Sequence, residues 1–440
     1  MAQGQPGTRS SIDHEFPPVN EITTPSLAEP ASSSSGGRLD RFLRERLHAV
    51  LRKLRHGQVH LTDEHGELRT GTANQIDHGM ITIRVLNMGF YRAVALRGSL
   101  GAAEAFMDGY WTCDDLVGLV RLLVRNRELL DGLETGSARI AGHVLRAWHA
   151  LQRNTRGGSR RNIAAHYDLG NDFFRLFLSA DLMYSAAVWT DDPADTLAAA
   201  SDRKLDLICS KLSLGPQDRV IEIGSGWGAL ACYAARRFGC HVTTITISRE
   251  QFNFVGQRIA AEGLEESVTV LLEDYRAIEG QFDKLMSVEM IEAVGAEYLE
   301  TYFATVGRLL KPGGRALIQA ITIEDHRYRQ ALRSVDFIKR HIFPGSFIPS
   351  IHALLTAKTR ATDLALIHLE DFGNSYARTL RSWRQRFLSQ LPAVRALGFD
   401  DRFARMWEFY FAYCEGGFLE ASIGVAHLLM VKPAWGRVDR

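Results

Sequence analysis

The segment Val220-Ile221-Glu222-Ile223-Gly224-Ser225-Gly226-Trp227-Gly228 constrains the fold of this 440-residue chain more than any other stretch. A short apolar strand running straight into glycines at alternate positions lets the backbone approach a ligand at the carboxyl end of a parallel sheet. Three glycines so placed weaken the local structure unless something else occupies the turn. The surrounding rhythm agrees. Strands are predicted at Arg219–Ile223, His241–Ile247, Val268–Leu272, Phe282–Val288 and Arg315–Ile321. Helices are predicted between them at Ala229–Phe238, Arg249–Glu262 and Ala296–Leu310, with Lys311-Pro312-Gly313-Gly314 as a turn before the fifth strand. Apolar strands alternating with amphipathic helices specify an α/β fold, a parallel sheet covered on both faces. Late strands near Ala365–Leu369 and at Ile423–Val431 follow a largely helical insertion and are expected to be antiparallel sixth and seventh members.

The chain before this region reads differently. Residues 1–37 are rich in Pro, Ser, Thr and Gly and are expected to be a disordered tail. From Arg38 to Arg55, Leu39, Phe42, Leu43, Leu47, Val50, Leu51 and Leu54 fall at helical spacing beside seven Arg/Lys and two acids. Such a helix suits either a protein core or an anionic membrane surface, and the core is the simpler expectation. Short alternating runs at Val59–Thr62, Glu67–Thr72, Ile81–Leu86 and Tyr91–Leu96 read as a small antiparallel sheet, followed by helices around Ala102–Tyr110 and Leu116–Leu130. No acid occurs between Glu134 and Asp168, where six arginines stand. The division expected is a tail to residue 37, an N-terminal α+β domain over 38–135 for lipid contact or assembly, a basic linker over 136–165, and the main domain over 166–440. No apolar run approaches the ~18 residues of a membrane span, so a cytoplasmic chain is expected, one that visits the inner face of the membrane from the water side if its substrate is a membrane lipid.

Two spacings bear on the ligand of the glycine turn. Gly224, Gly226 and Ala229 satisfy a loose dinucleotide pattern, but the place for an acidic ribose ligand falls at Thr244–Thr246, which carries no carboxylate. Glu273-Asp274-Tyr275 follows the third strand, where an acid and an aromatic can grip an adenine. Both features favour S-adenosylmethionine over a nicotinamide, and with it the Rossmann-like seven-stranded sheet of class I methyltransferases. The five cysteines are scattered without metal-ligand spacing, so no metal is expected. No nucleic-acid partner is expected, although the net charge of +1 rules out nothing by itself.

Several segments carry a resemblance. They are His166-Tyr167-Asp168-Leu169-Gly170-Asn171-Asp172-Phe173-Phe174, Met183-Tyr184-Ser185, the glycine turn itself, Thr246-Ile247-Ser248-Arg249-Glu250-Gln251, Asp274-Tyr275-Arg276, Phe343-Pro344-Gly345, Asp371-Phe372-Gly373-Asn374-Ser375-Tyr376 and the stretch around Cys414-Glu415-Gly416. Together they resemble the cyclopropane fatty acid synthase family, which includes the mycolic acid cyclopropane synthases. Gly98-Ser99-Leu100-Gly101 and Phe106–Trp111 look like the N-terminal part of its phospholipid-modifying members. The resemblance implies methyl transfer from S-adenosylmethionine to a cis double bond of a phospholipid acyl chain at the membrane surface, an acyl pocket, and dimeric assembly. It implies that Tyr167, Tyr184, Ser185, Glu222, Gly224, Gly226, Gly228, Thr246, Ile247, Gln251, Asp274 and Tyr275 hold the cofactor. It also implies a base, thought to be bicarbonate held by a Glu, a His, a Tyr, backbone groups and a Cys.

At that base the chain departs from the pattern. Glu292 and Tyr376 match, but Ala186 stands at the Cys position and Gln319 at the His position. An extra carboxylate, Glu289, would lie one helical turn before Glu292 if that segment were helical. Bicarbonate is therefore doubtful, and the catalytic candidates are Glu292, Tyr376, Gln319, Glu289 and Cys414. The variant resembles the branch that forms a 10-methylene acyl chain, which a separate reductase would saturate; ring closure is the alternative. Methylating an alkene needs no thiol nucleophile, so Cys414 is expected to be a buried structural thiol. The aromatic stripe Trp407, Phe409, Tyr410, Phe411 and Tyr413 is expected in the core, though a lipid channel must also be lined by apolar groups.

Overall fold

The computed structural model describes residues 37–72, 79–128 and 169–434. Most of the expected tail, the basic linker, His166 and Tyr167 lie outside the described residues.

The N-terminal part is a four-stranded sheet with helices against it. Its strands are β1 (Gly57–Asp63), β2 (Gly66–Thr72), β3 (Met80–Val85) and β4 (Trp111–Cys113), in the order β2-β1-β3-β4. The sheet is mixed where an antiparallel one was expected, because β1 and β3 pair in parallel. The run Tyr91–Leu96, expected as a strand, belongs to helix Gly89–Met107, which kinks at Gly98 (φ +58°). A short apolar run cannot distinguish the two periods, and here Tyr91 is buried with its hydroxyl donating to Asp63. The first helix, Arg38–Leu51, packs Leu43, Leu47 and Leu51 on the core but leaves Leu39 and Phe42 each 59% exposed. Its buried polar residue Asp40 pairs with Arg92 at 2.6 Å.

The main sheet contains β5 (Arg219–Ile223), β6 (His241–Thr246), β7 (Val268–Leu272), β8 (Phe282–Val288), β9 (Leu310–Ile323), β10 (Ala365–Asp371) and β11 (Ile423–Val431). Their order is β10-β11-β9-β8-β5-β6-β7. The ladders β7-β6-β5-β8-β9 are parallel, and β11 is antiparallel to both of its neighbours. Only β11 therefore runs against the sheet; β10 runs with the other five, correcting the expectation that both late strands are reversed. The expected turn at Lys311–Gly314 is a bulge inside β9. The register with β8 jumps from Phe282↔Leu310 to Lys284↔Arg315 as Gly313 takes φ +79°. Helix Arg249–Glu262 starts where Ser248 Oγ accepts from Gln251 N–H and stops at the left-handed Gly263.

One continuous core joins the two parts, running from Val59, Leu61 and Trp111 to Trp383, Trp407 and Phe411. At the seam, helix Leu116–Arg125 packs on helix Asp401–Leu419. A Cβ on Gly416 would meet Val120 Cγ1 at 2.6 Å, so only glycine permits this approach. Glu420 accepts from Arg121 and Arg125 at 2.7 Å each, and buried Glu415 pairs with Arg381 and Arg384. Within the Cys-Glu-Gly stretch, Gly416 thus serves the join between the two parts, while Glu415 ties two helices of the main part together.

Candidate active site

The order of the parallel strands reverses at β5 and β8, so their carboxyl ends open onto a crevice. At the end of β5, Gly224, Gly226 and Gly228 all have positive φ, +97°, +49° and +83°. The Gly224 and Ser225 amides donate to the Ile245 carbonyl at 3.2 and 2.8 Å, which fixes the turn to β6. A Cβ added to Gly226 would meet nothing within 4 Å, so that position faces open space. Gly228 differs: its added Cβ would meet Val255 at 3.1 Å, and it does not line the cavity. Its freedom serves close packing against helix Arg249–Glu262.

The cavity beside this turn has a volume of about 670 Å³. Tyr184, Ser185, Glu222, Gly224, Gly226, Thr246, Ile247, Gln251, Asp274 and Tyr275 all line it, so ten of the expected cofactor residues converge there. Thr246 Oγ1 donates to Gln251 Oε1 at 2.8 Å. Asp274 caps the next turn and pairs with Arg276 at 2.6 Å. Glu222 is buried beside Thr244, and burial raises its carboxyl to about 8. Trp227 Nε1 donates to Asn171 at 2.7 Å, anchoring the start of helix Asn171–Arg175 to the turn.

The other end of the cavity is polar in a different way. Glu289 follows β8 with φ +47°, and helical geometry begins only at Ile291, so the two glutamates are not stacked on one helix as the spacing suggested. The left-handed backbone turns the Glu289 side chain into a ring of donors. Oε1 accepts from the Ala186 amide at 2.9 Å and from Gln319 Nε2 at 2.8 Å, and Oε2 accepts from the Tyr376 hydroxyl at 2.8 Å. Burial raises the Glu289 carboxyl, while these three donors and the Lys204 charge oppose the rise. Glu292 Oε1 accepts from the Ile321 amide at 2.5 Å, whereas its Oε2 is buried with no partner among the described residues. Burial and the neighbouring Glu289 raise the Glu292 carboxyl to about 8. Three aligned donors favour the ionised form on Glu289 more than the single amide does on Glu292.

Glu289, Glu292, Tyr376 and Cys414 line the cavity; Gln319 is fully buried behind Glu289 and does not. Burial drives the Cys414 thiol far above its ordinary value, which keeps it protonated. The aromatic stripe divides. Phe409, Tyr410 and Tyr413 face the cavity, while Trp407 and Phe411 fill the core. Tyr410 was not singled out for the site, yet its hydroxyl lies 3.1 Å from that of Tyr184. Lys204 was also missed: it is fully buried, bonded to Ser185 Oγ at 2.8 Å, and burial lowers it to about 8. Leu47, Val59, Leu61, Ile83, Trp111 and Leu119 of the N-terminal part line the same cavity. Their periodicity in sequence marks an apolar face, but nothing in it reveals that the face is hollow.

The donor ring bears on bicarbonate. The Ala186 amide, Gln319 and Tyr376 are all engaged by the Glu289 carboxylate, and a second anion there would meet that charge at contact distance. The residues present do not fit bicarbonate. They do fit S-adenosylmethionine, because the open Gly226 position and the converging polar groups adjoin one cavity of sufficient size.

Residues 154–428 match the family model described as mycolic acid cyclopropane synthetase. The chain is 38% identical over 352 residues to the tuberculostearic acid methyltransferase UfaA1 of Mycobacterium tuberculosis, covering 78% of this chain and 81% of that protein. It is 38% identical over 343 residues to the cyclopropane-fatty-acyl-phospholipid synthase of Escherichia coli K12, covering 78% and 85%. Among solved structures, the cyclopropane synthase MmaA2 from Mycobacterium tuberculosis aligns with a TM-score of 0.58 and 26% identity over 62% of this chain and 98% of that one. The mycolic acid cyclopropane synthase CmaA1 complexed with SAH and CTAB aligns with a TM-score of 0.58 and 28% identity, with the same coverage.

Proposed function

The chain belongs to the mycolic acid cyclopropane synthetase family of S-adenosylmethionine-dependent methyltransferases, and from that premise we propose that it methylates the double bond of an unsaturated phospholipid acyl chain to give a methylene branch. The observation that carries the proposal is the Glu289 carboxylate, buried at the cavity wall and held by three donors. A carboxylate has about four acceptor positions, so Oε2 keeps one free for a proton.

When bound, the donor supplies a methyl on a sulfonium, an electrophile that needs no acid to activate it. The glycine turn and the Thr246, Gln251 and Asp274 side chains position it. The π pair of the alkene forms the new carbon–methyl bond as the carbon–sulfur bond breaks, and S-adenosylhomocysteine leaves. A cation then lies on the acyl chain. Apolar walls keep out water, which would trap it, and the faces of Tyr184 and Tyr410 with the charge of Glu289 stabilise it. A hydride moves from the methylated carbon to its neighbour, and Glu289 Oε2 takes a proton from the methyl, leaving a methylene branch (C=CH₂) on the acyl chain. The three donors fix where the Glu289 carboxylate stands, and its position decides which proton it reaches and whether the hydride shift precedes proton loss. A separate reductase is then needed to saturate the methylene.

The remainder of the acyl chain extends toward the N-terminal sheet, whose residues complete the cavity. Among the described residues no helix is long and apolar enough to cross a membrane. Exposed Leu39 and Phe42 beside Arg38 and Arg41 supply a peripheral contact for an anionic bilayer.

The test is to express the chain alone in oleate-fed cells and analyse the lipids by mass spectrometry and proton NMR. A mass gain with vinylidene protons is expected. Ring protons would assign cyclopropane closure instead, and unmodified lipid with active, folded enzyme on another acceptor would remove the acyl substrate.

A further inference from the structure

Behind the Glu289 donor ring, a line of hydrogen bonds runs outward through the sheet, and nothing in the methyl-transfer chemistry accounts for it. His427 on β11 lies opposite Gln319 on β9 in the antiparallel ladder, and both are fully buried. His427 Nε2 is 2.9 Å from Gln319 Oε1, and His427 Nδ1 is 2.9 Å from Lys211 Nζ. Lys211, at the end of helix Leu197–Leu212, also pairs with Glu370 at the edge of the sheet. The Phe372 ring meets the imidazole edge-on at 4.7 Å.

We propose that Lys211 and His427 are positioning residues that lock the Gln319 amide with its nitrogen toward Glu289. The proposal rests on the reading of Glu289 as the base. The argument is one of polarity. An ammonium has donors and no acceptor, so His427 Nδ1 must accept, which leaves the hydrogen on Nε2. Nε2–H then donates to Gln319 Oε1, so the other end of the amide, the NH₂, faces Glu289 at 2.8 Å. Without this chain, rotation of the amide would bring its oxygen against a carboxylate. A glutamine at this position carries that hazard, and the lysine at the sheet edge removes it by fixing every bond in one direction. Burial first, then the charges of Lys211 and Lys204, push His427 down to about 2, so it stays neutral and keeps one hydrogen throughout the working range.

The consequence is a pH effect. Glu289 faces the Ala186 amide, Gln319, Tyr376, the Lys204 ammonium and the Glu292 carboxyl; His427 faces Lys211, Lys204 and His368. Of these, the relay governs only the Gln319 bond. Losing that donor raises the Glu289 pKa, and the acidic limb of turnover moves to higher pH.

The experiment measures kcat against pH with full-length enzyme, S-adenosylmethionine and oleoyl-phospholipid vesicles. Lys211→Met, near the sheet edge, is expected to lower kcat at pH 7 by roughly two- to fivefold and move the acidic limb up by about one unit, with KM for S-adenosylmethionine unchanged. His427→Leu should do the same or more. His427→Gln, which keeps an acceptor and a donor on one planar group, should restore most of the activity. Adding Lys211→Met to Gln319→Leu should cost nothing further, since the relay acts only through that amide. An unmoved acidic limb in folded Lys211→Met, or full additivity in the double variant, overturns the relay. If that happens while Glu289→Gln is inactive, the relay fails alone; an active Glu289→Gln would instead remove the base reading.

Discussion

The glycine turn after β5 and the carboxylate pair after β8 stand on neighbouring strands of one sheet, yet they are built in opposite ways. The turn uses backbone: three residues with positive φ, two amides tied to β6, and one position open to the ligand. The carboxylate end uses three side chains and one backbone amide drawn from four distant segments, with Glu289, Gln319, Tyr376 and the Ala186 amide meeting only in the folded chain. A turn of backbone holds a ligand without choosing its reaction. A charged side chain, its donors and its proton choose the reaction, and they require a dry, preorganised site to do so. On the proposed function, binding and chemistry therefore separate along the cavity.

Substitutions at the two ends can break or sharpen that separation. The largest effect is expected from Glu289→Gln, which removes the base while keeping the side chain's size. Turnover should fall by roughly 10³-fold or more, with S-adenosylmethionine affinity by calorimetry within about threefold of the parent. Retained turnover would show that the carboxylate end is structural. Gly226→Val should act in reverse, since a β-branched residue is strained at φ +49° and fills the open position. Affinity for S-adenosylmethionine should drop by roughly 100-fold, measured in the same titration, with a folded circular-dichroism spectrum; unchanged affinity would place the donor elsewhere.

The smallest effect and the sharpest reading come from Glu292→Gln. Glu292 carries its proton up to about 8, so rising pH adds a second negative charge beside Glu289 and should close the alkaline side of the kcat profile. The glutamine variant should lose less than about tenfold at pH 7 and lack that alkaline fall. Stability follows the same sign. A carboxyl raised from its ordinary 4.5 to about 8 in the folded state weakens folding progressively as pH climbs through that interval. The variant's melting temperature should therefore depend less on pH across it. An identical pH profile for both proteins would show that Glu292 does not titrate in the catalytic range.

Much of the sheet was legible beforehand. Arg219–Ile223, Val268–Leu272, Phe282–Val288 and Ile423–Val431 were read with their observed bounds, because continuous apolar runs bounded by turn residues have few alternative structures. The errors fell where local pattern competes with context. Tyr91–Leu96 reads equally as strand or helix and became helix once Tyr91 found Asp63. The late strands were both read as reversed, although direction depends on where the chain re-enters the sheet, which local pattern does not encode. At the site, Glu292 was read as the leading acid from its match to a motif, and Glu289 as an extra. The left-handed backbone at Glu289 aims that carboxylate at three donors and leaves Glu292 with one, which is why Glu289 is the base we propose.

The sequence by itself determined the glycine turn, the parallel sheet and the methyl donor. Each rests on residues close together in the chain, where spacing and backbone preference act directly. Tertiary structure alone decided which glutamate meets three donors, that the N-terminal sheet shares the cavity, and that a lysine at the sheet edge reaches a buried glutamine through His427. Those properties depend on desolvation and on hydrogen bonds between residues up to 216 positions apart, and such distances become short only when the chain is folded.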